Sequence, residues 1–220
     1  MHPVLNASTF VELFSTIRAM VFDFDGTLVN SNAIKRRAFE LCFAGFPEYR
    51  EDILRYCWGH HHTPRDEKFR YVYEQILEQP YTANVAANLH ARFESATTRQ
   101  ILEAPEIPGA SAFLQRIESS HLTAVLSSTP QAILTDLVVR RGWRDYVQVI
   151  QGAPVKKAAW LRDFRRARGL GASEILFFGD AEEDAEAART AGCAFVTVGN
   201  EGEFPGCRFA IPDFASLLAT

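Results

Sequence analysis

The chain has 220 residues, 47% of them hydrophobic, enough for one sizeable core or for a core with a smaller satellite domain. Its net charge is −4 and its basic residues form no long block, so it carries no nucleic-acid footprint. The 4 cysteines (Cys42, Cys57, Cys193, Cys207) lie far apart without a C-x-x-C pair, which speaks for reduced thiols against a disulfide framework or a zinc site.

The opening "MHPVLNASTFVELFSTIR" has no basic stretch before its apolar residues and contains Glu12, so no signal peptide is expected. No apolar run approaches the roughly 18 residues that span a bilayer. A cytoplasmic protein without membrane contact is the expectation. The run "AMVF" then ends at Asp23, within "DFDGTL". Four continuous apolar residues predict a strand buried on both faces. Two neighbouring carboxylates, Asp23 and Asp25, at the end of such a strand repel each other and resist burial, so something has to offset that cost.

From residue 33 to about residue 104 the pattern is helical, with no convincing strand, in "AIKRRAFELCFAG", "EDILRYCWG", "PRDEKFRYVYEQIL" and "ANVAANLHARFESATTRQIL". Thr63 and Pro64 read as the N-cap and first residue of the third of these helices. The three adjacent histidines His60, His61 and His62 cannot all aim at one ion and read as loop polarity. From "PEIPGA" onward, strands alternate with helices. "LTAVL" ends before Ser127, "EILFFG" before Asp180, "AFVTVG" spans 194–199, and "FAIPDFASLL" gives a last strand and closing helix. The expected fold is therefore α/β, with a Rossmann-like parallel-sheet core in three layers (residues 1–29 and 105–220) and an inserted all-helical cap (30–104).

In an open parallel sheet, ligands bind outside the carboxyl ends of the strands, so Asp23, Ser127 and Asp180 are expected at one rim. Asp23 and Asp180 would share a divalent cation, and Mg²⁺, which favours hard oxygen ligands, is the natural candidate. Asp23 would attack phosphorus as a nucleophile, and Asp25 would give and take the proton. Ser127, with backbone N–H groups around Ser128, would hold a phosphoryl oxygen, and Lys157 in "APVKKAAWL" would neutralise charge. Gly26 lets the backbone turn close to the phosphate, and Thr27 would fix that loop by a local hydrogen bond. Asp184 would hold the lysine or a metal-bound water.

At these motifs the chain resembles the haloacid dehalogenase-like hydrolase superfamily, in the helical-cap branch of phosphoglycolate phosphatases and β-phosphoglucomutases. "DFDGTL", "VLSSTP", the lysine opening a helix and "GDAEEDAEAARTAG" occur in family order across most of the chain. The resemblance implies a Mg²⁺-dependent phosphatase acting on a small phosphorylated metabolite through an aspartyl-phosphate, with the backbone carbonyl of Asp25 as a further metal ligand. A sugar phosphomutase and a non-catalytic module carrying a phosphorylatable aspartate are the alternatives. The presence of Asp25 implies phosphoryl chemistry rather than dehalogenation. Asn30 stands where many relatives have aspartate, and the lysine lacks the frequent lysine-proline setting, which keeps Lys156 as the alternative to Lys157. By the same resemblance Arg65, Lys68 and Lys35 would bind a distal part of the substrate. Neither the substrate nor the oligomeric state follows from the sequence.

Overall fold

The structure, a computed structural model, describes residues 13–60, 63–199, 204 and 209–218. The chain divides into two units, Met1–Asn30 with Pro105–Thr220, and Ser31–Ala104. The first unit carries a parallel sheet of six strands. These are β1 (Ala19–Phe22), β2 (Leu122–Pro130), β3 (Val149–Ala153), β4 (Ile175–Gly179), β5 (Ala194–Val198) and β6 (Phe209–Ile211), in the order β3-β2-β1-β4-β5-β6. Strand β1 pairs with β2 on one side and β4 on the other, and all four of its residues are fully buried. Burial on both faces is why these central strands are continuous apolar runs and not alternating ones.

Helices cover both faces, giving the three layers. On one face Val21, Ile175 and Phe177 pack with Leu161 and Phe164 of one helix (Lys157–Ala167) and Ala185 and Ala188 of another (Glu182–Ala191). On the other face Phe22 and Phe178 stack at 4.9 Å between ring centroids and meet Phe113 and Phe214. Aromatic side chains of this size bring a large apolar area to the contact between the layers. From β1 the chain works outward through β2 and β3, and it returns to the far side of β1 with β4. The direction of winding thus reverses between β1 and β4, which opens a crevice beyond their carboxyl ends.

Two strands depart from the sequence expectation. Strand β3 was not foreseen. It is an edge strand whose residues are mostly half-buried, so its stretch "VIQGA" lacks the apolar continuity of the centre. Strand β2 runs past Ser127 to Pro130, with its pairing to β3 shifted between Leu126 and Pro130. Among the described residues no helix is long and apolar enough to cross a membrane.

The chain leaves the first unit and comes back to it at adjacent points. Val29 forms an antiparallel bridge with Glu106, Asn30 N–H donates to Pro105 O at 3.0 Å, and Ile107 N–H donates to Leu28 O at 2.9 Å.

The second unit is helical in its described residues. In chain order it holds α1 (Asn32–Cys42), α2 (Arg50–Gly59), α3 (Arg65–Tyr71), which runs on into a wider turn at Val72–Ile76, and α4 (Ala83–Glu103). Helix α4 is capped by Thr82, whose side chain accepts from Val85 N–H at 3.3 Å. Phe39, Phe43, Phe69 and Phe93 meet edge to face at the centre of this unit. Helix α3 begins at Arg65, with Pro64 in the N-cap place at φ −52° and ψ 143°, one residue later than the expectation built on Thr63. His61, His62 and Cys207 lie outside the described residues. The remaining helices, all in the first unit, are α5 (Ala110–Ile117), α6 (Gln131–Arg140), α7 (Lys157–Ala167), α8 (Glu182–Ala191) and α9 (Ala215–Leu218).

Candidate active site

Asp23 is the first residue after β1, and its N–H donates to Phe178 O of β4 at 2.8 Å, so the sheet itself fixes where the carboxylate starts. Gly26 turns the chain at φ 84°, where a side chain would be strained, and its N–H donates to Val29 O at 2.7 Å. That turn folds the segment after Asp23 back beside the strand ends. Thr27 does not hydrogen-bond locally. Its hydroxyl donates to Asp180 Oδ1, 3.2 Å away at the end of β4, and ties the two halves of the crevice together.

Lys157 opens α7 and is buried. Its ammonium donates to Asp23 Oδ1 at 2.8 Å and to Asp184 Oδ1 at 2.7 Å. Lys156 is exposed in the N-cap place of the same helix. Asp184 sits in the first turn of α8, fully buried, and needs a glycine opposite it. A Cβ on Gly179 would lie 2.4 Å from Asp184 Cβ. The strand end therefore tolerates no side chain at 179 while Asp184 reaches the lysine.

The electrostatics follow from burial. Burial pushes the Asp23 carboxyl up to about 7, with Asp184 and Asp25 adding to the rise and Lys157 opposing it. Asp184 is likewise pushed up to about 6 by burial, with Asp180 adding to it and Lys157 again opposing. Burial works against the Lys157 ammonium, yet Asp184 and Asp23 outweigh it and hold the lysine well above its ordinary value. One cation is thus shared among several carboxylates that have little water to spread their charge.

Asp23, Asp180 and Asp184 each offer a carboxylate oxygen, and these oxygens lie within 4.8 Å of one another. Hard oxygen donors gathered so closely, with one lysine among them, fit a divalent cation of the Mg²⁺ class. Such an ion would offset the repulsion that the "DFD" stretch raises at sequence level.

On the β2 side, Ser127 is buried and its Oγ accepts from Thr129 N–H at 3.1 Å, while Ser128 is exposed. Thr129 was not singled out in the sequence. Its hydroxyl donates to Asp25 Oδ2 at 2.9 Å, and both side chains are buried. Threonines at strand ends are common, and the partner lies 104 residues away, so only the tertiary fold exposes the pairing.

The other three expected residues belong to the helical unit. Lys35 lies in α1, half-buried. Arg65 starts α3, where its guanidinium bonds to Glu94 at 3.3 Å and covers the Phe93 ring at 4.7 Å. Lys68 is buried, and its ammonium donates to Cys57 O in the last turn of α2 at 3.1 Å. A cation at a helix C-terminus meets both the unpaired carbonyls and the negative end of the dipole.

Comparison with known proteins places this geometry in a family. The model of the haloacid dehalogenase-like hydrolases matches residues 20–198. A phosphoglycolate phosphatase of Yersinia pseudotuberculosis is 29% identical over 222 residues, covering 93% of each chain. Among solved structures, a predicted phosphoglycolate phosphatase from Haemophilus somnus superposes with a TM-score of 0.73 at 20% identity, over 92% of this chain and 97% of the other. CbbY from Rhodobacter sphaeroides, in complex with xylulose-1,5-bisphosphate, gives 0.71 at 20% identity, over 90% and 95%. With that family match running from β1 to β5 over most of the chain, the chain belongs to the haloacid dehalogenase-like hydrolases.

Proposed function

We propose that the chain is a Mg²⁺-dependent phosphomonoesterase that hydrolyses a small phosphorylated metabolite through a phosphoaspartate on Asp23. The observation that carries this is the bonding of one buried lysine to Asp23 and Asp184 at 2.8 and 2.7 Å, beside Asp180 and two residues from Asp25. A buried nucleophile, a fixed counter-charge and a nearby acid are the groups that phosphoryl transfer to a carboxylate requires.

Asp23 attacks phosphorus in line, forming an O–P bond as the bond to the leaving oxygen breaks. Asp25 gives that oxygen a proton, then takes one from the water that cleaves the acyl phosphate. Lys157 keeps Asp23 oriented and neutralises charge on the transferring group, and Ser127 holds one phosphoryl oxygen. Mg²⁺, held by Asp23, Asp180 and the backbone carbonyl of Asp25, would supply charge neutralisation at the phosphoryl group. Asp184 keeps Lys157 in place. Gly26, Thr27 and Ser128 shape the loops around the phosphoryl group. The helical unit serves as a cap, in which Arg65, Lys35 and Lys68 bind the remainder of the substrate. The name of the Yersinia relative makes small phosphorylated acids the first substrates to try.

The test is phosphate release from a panel of phosphorylated metabolites with Mg²⁺ and with chelator. Release that needs Mg²⁺ and vanishes in Asp23→Asn is the expected result, and turnover retained in that variant refutes the covalent route. Conversion of a hexose 1-phosphate to its isomer without free phosphate would instead make the chain a mutase.

A further inference from the structure

We propose that Thr129 is a positioning residue that decides which oxygen of Asp25 passes the proton. This rests on the phosphatase reading of the site and specifies how its acid is aimed. The Thr129 hydroxyl donates to Asp25 Oδ2 at 2.9 Å, and Asp25 and Thr129 are 8% and 7% exposed, so water competes little for the bond. A carboxylate accepts at that oxygen whether or not its other oxygen is protonated. The proton that reaches the leaving group therefore sits on Oδ1, and Oδ2 is the oxygen that stays with Thr129.

The backbone of Thr129 is itself fixed from two sides. Its N–H donates to Ser127 Oγ at 3.1 Å, and the strand β3 approaches so closely that a Cβ on Gly152 would lie 2.5 Å from Thr129 O. Thr129 thus joins the serine that grips the phosphoryl oxygen to the aspartate that protonates the ester oxygen. In the first half-reaction the Oδ1 proton moves to the leaving oxygen while phosphorus moves to Asp23. In the second, Oδ1 takes a proton from water as the water oxygen bonds phosphorus and the bond to Asp23 breaks. The Thr129–Oδ2 hydrogen bond persists through both.

The experiment compares Thr129→Val, which keeps shape and removes the hydroxyl, with Thr129→Ser, which keeps the hydroxyl. Each is assayed with Mg²⁺ on p-nitrophenyl phosphate, whose leaving group needs little acid, and on an alkyl ester, glycerol phosphate, whose leaving group needs it. Loss of a well-aimed acid predicts a fall in kcat of about 100-fold on the alkyl ester against about 3-fold or less on the aryl ester for Thr129→Val. Thr129→Ser should stay within about 3-fold of wild type on both. Equal losses on the two esters, or none, would overturn the role of Thr129 while leaving the phosphatase reading intact. If wild-type protein released no phosphate from either ester or from the metabolite panel, both would fall together. Should the valine variant not fold, Thr129→Ala against Thr129→Ser gives the same contrast.

Discussion

Lys157→Met replaces the cation with an apolar side chain of similar length and leaves Asp23 and Asp184 facing each other. The lysine makes two charge-assisted bonds, at 2.8 and 2.7 Å, and the three side chains are 6%, 7% and 1% exposed. Breaking a buried pair by removing one partner costs about 3–5 kcal/mol, and a lysine that serves two carboxylates belongs at the upper end. The penalty depends on pH because both carboxyls have values above the ordinary 3.8, at about 7 and about 6. An acid raised on folding makes the folded state less stable as pH rises from its unfolded value through its folded one. Removing Lys157, which pulls both values down, steepens that decline. In the presence of chelator the penalty should be about 5 kcal/mol near pH ~8. Near pH ~5, where both acids are neutral and only two ordinary hydrogen bonds are lost, it should be about 2 kcal/mol. Urea titrations of the two proteins at both pH values measure this directly. At roughly 2–4 °C per kcal/mol, melting at the higher pH should drop by roughly 10–20 °C. A penalty that is equal at the two pH values, or smaller in alkali, would refute the picture of one lysine balancing two buried acids.

Gly179→Ala should lower stability by about 1–3 kcal/mol and cut phosphate release more than about 10-fold, since the new methyl would lie 2.4 Å from Asp184 Cβ. Thermal melts and kinetics on the same preparation check it, and wild-type values would show that Asp184 has room to move. Lys68→Met should lower the melting temperature by leaving Cys57 O without its 3.1 Å donor, at a cost of about 1–3 kcal/mol. Thermal melts check it, and an unchanged melt would show that the bond to Cys57 O adds nothing to stability. Burial holds the His121 imidazole below 6.5, against opposing hydrogen bonds to the backbone of Phe14 and Ile17. A base lowered on folding contributes stability that is present above its unfolded value and lost as pH falls below it. Acid should therefore destabilise wild type below pH ~6.5 more than it destabilises His121→Gln, as read from urea midpoints. Parallel pH profiles would remove His121 from the acid response.

The strands ahead of Asp23 and Asp180 were legible because a central parallel strand is apolar on both faces and stops abruptly at the rim, and the apolar start of β2 was legible likewise although that strand continues past Ser127. Strand β3 had no such signature, for an edge strand can carry Gln151 and Gly152 without exposing unpaired polar groups to the core. Lys157 was preferred to Lys156 because it directly precedes "AAWL", and the helix does open at Lys157. Thr129 and the Thr27–Asp180 bond stayed hidden, since each joins residues more than 100 positions apart, with |i−j| of 104 and 153. The Lys68–Cys57 bond stayed hidden for a related reason, since a lysine in an amphipathic helix reads as solvent-facing while this contact is set by how two helices pack.

The paired backbone at Leu28–Asn30 and Pro105–Ile107 has a practical consequence. Because departure and return are stitched together, the sheet experiences the whole intervening segment as one hairpin-like excursion, whatever its length. Closing that loop costs entropy that grows only slowly with the number of residues enclosed. Every group bonded to Lys157 stays on the sheet side of the stitch. An exchange of the helical segment for that of a relative, joined at residues 30 and 105, thus leaves the reactive cluster covalently untouched.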